Sequence, residues 1–85
     1  MKIISVIPVK GREPLLYYTV KRLTNQGVGV ICVGHTDSER RTCRKAGASF
    51  LYYSDRLKLG AKWQFGIDEA RKHKPDAILL PHRKQ

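Results

Sequence analysis

The stretch VGVICVG at residues 28–34 decides the fold. Its valine and isoleucine residues do not alternate with polar ones, which is typical of a strand covered on both faces, as in a parallel sheet. Gly27 favours the end of a helix before this strand, and TDSE at residues 36–39 fits a capping box that begins another helix after it. The sequence therefore predicts a buried strand between two helices, which is the repeating pattern of an α/β protein.

The same alternation extends along all 85 residues, which form a single predicted domain, 1–85. Strands are predicted at residues 3–8, 28–34, 48–53 and 76–81, and helices at residues 14–26, 36–46 and 58–74. The short connections favour parallel strands joined by right-handed crossovers. We predict a Rossmann-like β-α-β-α-β-α-β half-domain, of three layers, whose four-stranded parallel sheet has the order 3-2-1-4.

Individual residues predict where the helices end and which side of the third helix faces the sheet. Gly47 is placed to end the second helix in the left-handed conformation, and Pro75 to stop the third. The predicted buried face of the third helix consists of apolar residues at helical spacing, Leu59, Trp63, Ile67 and Ala70. Phe65 is also expected in the core. Gly66, beside this face, predicts a close approach of the helix to the sheet.

The charge balance favours anionic partners. The formal net charge is +10, from 17 Lys and Arg against 7 Asp and Glu. Nucleotides, nucleic acid and anionic membrane surfaces all fit such a balance, and the charge does not choose among them. Solvated helix faces explain most of the basic residues at 40–45 and 71–74.

Several classes of protein are disfavoured by the composition. No apolar run reaches the roughly 20 residues that span a bilayer, and the amino terminus lacks the features of a signal peptide, so we expect a cytoplasmic protein. Cys32 and Cys43 lack CxxC spacing and are predicted to be reduced structural thiols. His35, His73 and His82 have no metal-ligand spacing, so we assign no metal. The sequence shows no Ser-His-Asp, Cys-His or paired-carboxylate arrangement.

Ligands of doubly wound sheets bind beyond the carboxyl ends of the strands. At the end of the first strand, Lys10 and Arg12 stand where amides and basic side chains can hold a phosphate. Asp37, after the second strand, can accept hydrogen bonds from a base or a ribose. Gly60 and Lys62, at the start of the third helix, suit a diphosphate clamp.

Each of these residues has an alternative explanation. Lys10 and Arg12 can be solvated loop charges, and Asp37 can stabilise the dipole of the helix that follows it. Lys62 can be exposed, with Gly60 easing entry into the helix. The loop after the first strand contains neither GxGxxG nor GxxxxGK[ST], so the usual dinucleotide and P-loop motifs are absent.

Two segments carry a resemblance to a known family: IISVIPVKGREPLLYYTVKRLTNQ, at 3–26, and LKLGAKWQFGIDEARKHKPDAILL, at 57–80, with a strand and a TD turn between them. Together they resemble the amino-terminal nucleotide-binding half of GT-A fold glycosyltransferases of the family-two type. The resemblance implies that Pro8, Val9 and Arg12 line a nucleotide pocket. It also implies that Asp37 or its neighbours lie near the base and that Lys62 lies near the diphosphate.

The chain departs from this family after the fourth strand. There the family has an acidic DxD-like motif that holds a divalent cation such as manganese or magnesium, followed by the acceptor-binding half. Here the residues are Pro81, His82, Arg83 and Lys84, which would repel a cation. The resemblance therefore implies a nucleotide-sugar-binding half-domain that is inactive by itself and holds no cofactor. It is either a truncated or frameshifted chain or a small protein that reuses the front half of the family's fold.

A second hypothesis is a small basic α/β module that binds nucleic acid or a protein partner. Under either hypothesis the fourth strand lies at an edge of the sheet and exposes apolar side chains and unpaired amides. We therefore expect a homo-oligomer formed through the edge at residues 76–81.

Overall fold

The computed structural model describes residues 2–9, 13–53 and 59–80. Its strands are β1 (Ile3–Pro8), β2 (Gly29–Gly34), β3 (Ser49–Tyr52) and β4 (Ala77–Leu79), and its helices are α1 (Glu13–Asn25), α2 (Asp37–Lys45) and α3 (Leu59–Lys72). All neighbouring strands pair in parallel, and their order is β3-β2-β1-β4. This arrangement confirms the predicted fold class and strand order.

The two faces of the sheet support separate cores. The core on the side of α1 and α2 contains Ile7, Val9, Leu16, Val20, Val30, Cys32, Cys43, Ala46 and Ala48. The core on the side of α3 contains Ile4, Val6, Ile31, Val33 and Ala70. β1 and β2 contribute to both cores, which explains why their sequences show no polar alternation.

The helix ends follow the predicted glycine and proline signals. Gly27 (φ 81°) and Gly47 (φ 97°) adopt the left-handed conformation after α1 and α2. α3 ends at Lys72, two residues earlier than predicted. Lys74 (φ 51°) already has left-handed geometry there. The chain thus leaves the helix before Pro75, which has no amide hydrogen to continue it.

The buried face of α3 differs from the predicted one. Of the predicted positions, Ala70 is fully buried, Trp63 and Ile67 are only partly buried, and the side chain of Leu59 lies outside the described residues. Among the described side chains of α3, Lys62 and Gly66 are buried with Ala70, at i, i+4 and i+8. Phe65 is 39% exposed, so its expected place in the core was wrong. The predicted close approach at Gly66 is confirmed, because a Cβ atom there would collide with the side chain of Val6.

Both cysteines are buried, free thiols in the core beneath α1 and α2. A hydrogen bond with Cys43, together with burial, raises the pKa of the Cys32 thiol far above its usual range. A thiol held in this way is poorly reactive, because the thiolate is the nucleophilic form. The pair therefore fits the predicted structural role.

Candidate functional site

The ends of β1, β2 and β3 lie side by side along one edge of the sheet. This carboxyl rim consists of Val9, the segment 34–37 and Tyr53. The amide of Val9 donates to the carbonyl oxygen of Val33 at 2.7 Å, and the amide of Tyr53 donates to the carbonyl oxygen of Gly34 at 2.7 Å. Residues that follow three different strands are thereby held at one edge.

Lys62 brings a positive charge to this rim from α3. Its side chain is only 2% exposed, and its Nζ atom lies 3.5 Å from the carbonyl oxygen of Val9. The alternative that Lys62 is a solvent-exposed helix residue is therefore wrong. Because the lysine stem is apolar, it can cross the surface of the sheet while its ammonium group reaches the rim.

Pro8 and Val9 occupy the point where the chain leaves β1. Pro8 is partly buried and pairs with Val33 of β2. The side chain of Val9 packs in the core beneath α1 and α2, so the part of Val9 that lies at the rim is its backbone. Any contact of Val9 with a ligand at this rim would thus be made by the main chain.

Glu39 organises the rim beyond β2. Its Oε1 atom accepts hydrogen bonds from the amides of His35 at 3.0 Å and Thr36 at 3.2 Å. In return the Thr36 hydroxyl accepts from the amide of Glu39 at 3.2 Å. The predicted capping box is confirmed, and it fixes the turn that leads from β2 into α2.

Asp37 lies at the β3 side of the rim. Its Oδ1 atom accepts a hydrogen bond from the Tyr52 hydroxyl at 2.7 Å and lies 3.8 Å from Nε of Arg40. The hydrogen bond to Asp37 raises the pKa of Tyr52, while the charge of Arg40 acts against this rise. Asp37 thus already has two protein partners, and a base or ribose would have to share its carboxylate.

Sequence reasoning missed the aromatic residues of the rim. Tyr53 stacks on Phe65 of α3, with ring centroids 4.6 Å apart and planes 26° apart. Tyr52 also escaped notice as a partner of Asp37. Strand alternation could have separated Tyr52 from Tyr53, but neither contact follows from spacing along the chain, since each joins two elements.

Three predicted site residues remain: Lys10, Arg12 and Gly60. Lys10 and Arg12 lie outside the described residues, and Gly60 lies in the first turn of α3. Within the described part of the chain, Val9 and Lys62 come together at the rim, and Asp37 forms a separate cluster with Tyr52. The structure therefore brings together part of the predicted set.

A groove of about 560 Å³ lies at the opposite edge of the sheet, along the amino ends of β1, β2 and β3. It is lined in part by Lys2, Gly29 and His73. The Lys2 ammonium donates to the carbonyl oxygen of His73 at 2.6 Å, which ties this charge to the end of α3. The groove is remote from the rim on which the predicted residues lie.

These features define an α/β protein with a doubly wound, all-parallel sheet. Comparisons with family models, with curated proteins and with solved structures found no match. Among the described residues, no group of three or more His, Cys, Asp or Glu side chains is placed to hold a metal ion. No helix in the same part of the chain is long and apolar enough to cross a membrane.

Proposed function

We propose that this protein binds an anionic nucleotide, of the nucleoside diphosphate class that can carry a sugar, at the carboxyl rim. The observation that carries the proposal is the buried Lys62 ammonium beside the carbonyl oxygen of Val9. The ammonium group lies next to the carboxyl end of β1, and β1 is the strand between β2 and β4 in the sheet. In doubly wound sheets this is the switch point where ligands bind.

The burial of Lys62 favours binding of a diphosphate. A lysine side chain loses roughly 1.5–2 kcal/mol of conformational entropy when it is fixed. In Lys62 this cost is already met by folding, so a phosphate would not have to order the side chain. A positive charge with little exposure to water, such as that of Lys62, also attracts an anion more strongly than the same charge in bulk water.

The other predicted residues have complementary roles in this proposal. Lys10 and Arg12 lie one and three residues after Val9 in the sequence and would add two positive charges to the site. The turn at residues 34–37, fixed by Glu39, would contact the base or the ribose. The proposal concerns binding and not transfer, because the residues after β4 in the sequence are basic where the resembling family has metal-binding acids.

The test is titration of the labelled protein with uridine diphosphate, followed by amide chemical shifts. We expect shifts at Val9, at residues 34–37 and at the first turns of α3. Lys62→Met keeps the apolar stem and removes the charge, and it should weaken binding by about tenfold or more, as loss of one charge-assisted contact implies. If uridine diphosphate changed no amide chemical shift at the rim, the proposal would be overturned.

Two further variants make the result specific. Lys62→Arg keeps the positive charge and should retain part of the affinity. Lys72→Met removes a lysine from the exposed side of α3, where it pairs with Glu69, and should leave binding unchanged. Equal losses in Lys62→Met and Lys72→Met would show that only net charge matters.

A further inference from the structure

The carboxyl-terminal halves of α1 and α2 present an exposed basic surface away from the carboxyl rim. We call it the α1–α2 basic face, and its members are Lys21, Arg22, Arg41, Arg44 and Lys45. No Asp or Glu occurs at residues 17–26 or 40–49 in the sequence. Within the described residues, none of the five cations forms an ion pair, so this surface has an unbalanced positive charge.

The two helices place these charges next to one another. Thr24 of α1 donates a hydrogen bond to the carbonyl oxygen of Ala46 at 3.1 Å, just beyond α2. The Thr24 side chain also lies against Gly47. The carboxyl ends of α1 and α2 are therefore in direct contact, so their exposed basic residues lie on neighbouring helix ends.

An exposed aromatic side chain lies within this surface. Tyr18 is 67% exposed and precedes Lys21 and Arg22 by three and four residues, so all three share one side of α1. The ring of Tyr17 packs edge-on against that of Tyr18, with centroids 5.6 Å apart, which helps to fix its position. Arg41, with Arg44 and Lys45, repeats the same spacing on α2.

The helix dipole does not explain this surface fully. Basic residues in a last helical turn stabilise the partial negative charge there, and α3 has such residues in Arg71 and Lys72. On α3, however, acidic residues are interleaved, and Glu69 lies 3.3 Å from the Lys72 ammonium. The ends of α1 and α2 have basic residues without this compensation.

From this contrast we propose that the α1–α2 basic face binds single-stranded nucleic acid, with the cations contacting phosphates and Tyr18 stacking on a base. Cations along a surface that follow a backbone, together with an exposed ring, are what such binding requires. The proposal does not depend on nucleotide binding at the carboxyl rim. It favours a single strand because an exposed ring offers a stacking platform to an unpaired base.

The test measures fluorescence anisotropy of a labelled RNA of about 12 nucleotides, a length within the usual range for one small domain. The triple variant Lys21→Gln, Arg41→Gln and Arg44→Gln should bind at least about tenfold more weakly. It should also reduce the slope of log affinity against log salt by about 2, since each phosphate contact on a single strand contributes about 0.7.

The matched control removes three cations from the end of α3 and beyond, by Arg71→Gln, Lys72→Gln and Lys74→Gln. Both triple variants have the same net charge, and circular dichroism should show that both are folded. The α3 variant should bind RNA within about threefold of the unchanged protein. Equal weakening by the two triple variants would overturn the proposal, because it would show attraction by net charge alone.

Three more measurements identify the ligand and the site. Tyr18→Ala should weaken RNA binding by about fivefold or more, and Tyr18→Phe should restore it, as stacking on a ring requires. Lys62→Met should leave RNA binding unchanged, which separates this surface from the carboxyl rim. Binding to vesicles that contain phosphatidylserine, without binding to RNA, would overturn the proposal in favour of an anionic membrane surface.

Discussion

Gly66 of α3 lies directly against Val6 of β1, so closely that a single added methyl group would collide with the valine side chain. The same methyl group would come within 3.0 Å of Val33 on β2. Gly66 therefore sets the distance between α3 and the sheet, and with it the position of Lys62 one turn earlier in the helix. Val6 is fully buried and β-branched, so it cannot rotate away without strain.

We expect Gly66→Ala to destabilise the protein by about 1–3 kcal/mol, the range for overpacked cores. Alanine favours helices over glycine by about 1 kcal/mol, which offsets part of this loss. The measurement is urea unfolding followed by circular dichroism.

Gly29→Ala is the matched control, because a Cβ atom there would meet its nearest neighbour at 3.5 Å, an ordinary contact. A Gly66→Ala variant as stable as Gly29→Ala would contradict the close approach of α3.

The capping box gives a second prediction about stability. Glu39 is buried and accepts two backbone hydrogen bonds, from His35 and Thr36. Glu39→Ala removes the charged acceptor of both partly buried hydrogen bonds, and a hydrogen bond to a charged group contributes about 1.5–3 kcal/mol. We therefore expect Glu39→Ala to lower the free energy of unfolding by about 2 kcal/mol or more, measured by urea unfolding.

Thr36→Ala removes a single cap hydrogen bond and should cost about 1 kcal/mol, whereas Thr36→Ser should be nearly neutral. The order of the losses is the informative result. If Thr36→Ala destabilised the protein more than Glu39→Ala, the carboxylate would not be the main organiser of this turn.

The contact between Tyr52 and Asp37 predicts a dependence on pH. The hydrogen bond to Asp37 raises the pKa of Tyr52 above its ordinary value of 10.0, because it favours the protonated hydroxyl. A raised pKa means that the contribution of this contact to stability is complete below the ordinary value and is lost as the pH rises through the folded-state value. The effect is thus confined to alkaline solution.

Difference titration of tyrosinate absorbance, comparing the unchanged protein with Tyr52→Phe, isolates the titration of Tyr52. We expect Asp37→Ala to move the midpoint of this titration down, toward the ordinary tyrosine value, because the acceptor and its charge are both removed. A Tyr52 midpoint that does not respond to Asp37→Ala would show that the hydrogen bond does not form in solution.

Most of the fold could be predicted because local signals agree with the global arrangement. The strands are short apolar runs without polar alternation, and glycine or proline follows each helix. The buried face of α3 could not be predicted in the same way. There the buried residues include the small Gly66 and Ala70 and the long Lys62, while the larger Trp63 is only partly buried. Hydrophobicity alone finds Ala70 on this helix but misses the buried Lys62 and Gly66.

The site was partly predictable for a related reason. The carboxyl rim follows from the strand order, so the sequence could place Lys62 and Val9 near each other. The contact of Asp37 with Tyr52 could not be found, because it depends on the register in which Gly34 pairs with Tyr52. A hydrophobic alternation would specify the register, but β1 and β2 are buried on both faces and show none.

The last prediction concerns the edge of the sheet at β4. β4 pairs with β1 on one side, and Leu79 and Leu80, 44% and 46% exposed, lie at this edge. We propose that a second copy of the chain adds its own β4 there, since an edge strand with exposed apolar residues is a template for pairing. The high positive charge opposes this association, so salt should strengthen it by screening the repulsion.

Sedimentation at micromolar concentrations, at low and high salt, measures this association. We expect dimers whose fraction rises with salt, and Leu79→Lys should abolish them because a charge at the edge blocks pairing. Leu15→Lys is the control, since Leu15 is also exposed but belongs to α1, away from the strand edge. A protein that stays monomeric at both salt concentrations, or dimers that Leu15→Lys disrupts as strongly as Leu79→Lys does, would contradict pairing through β4.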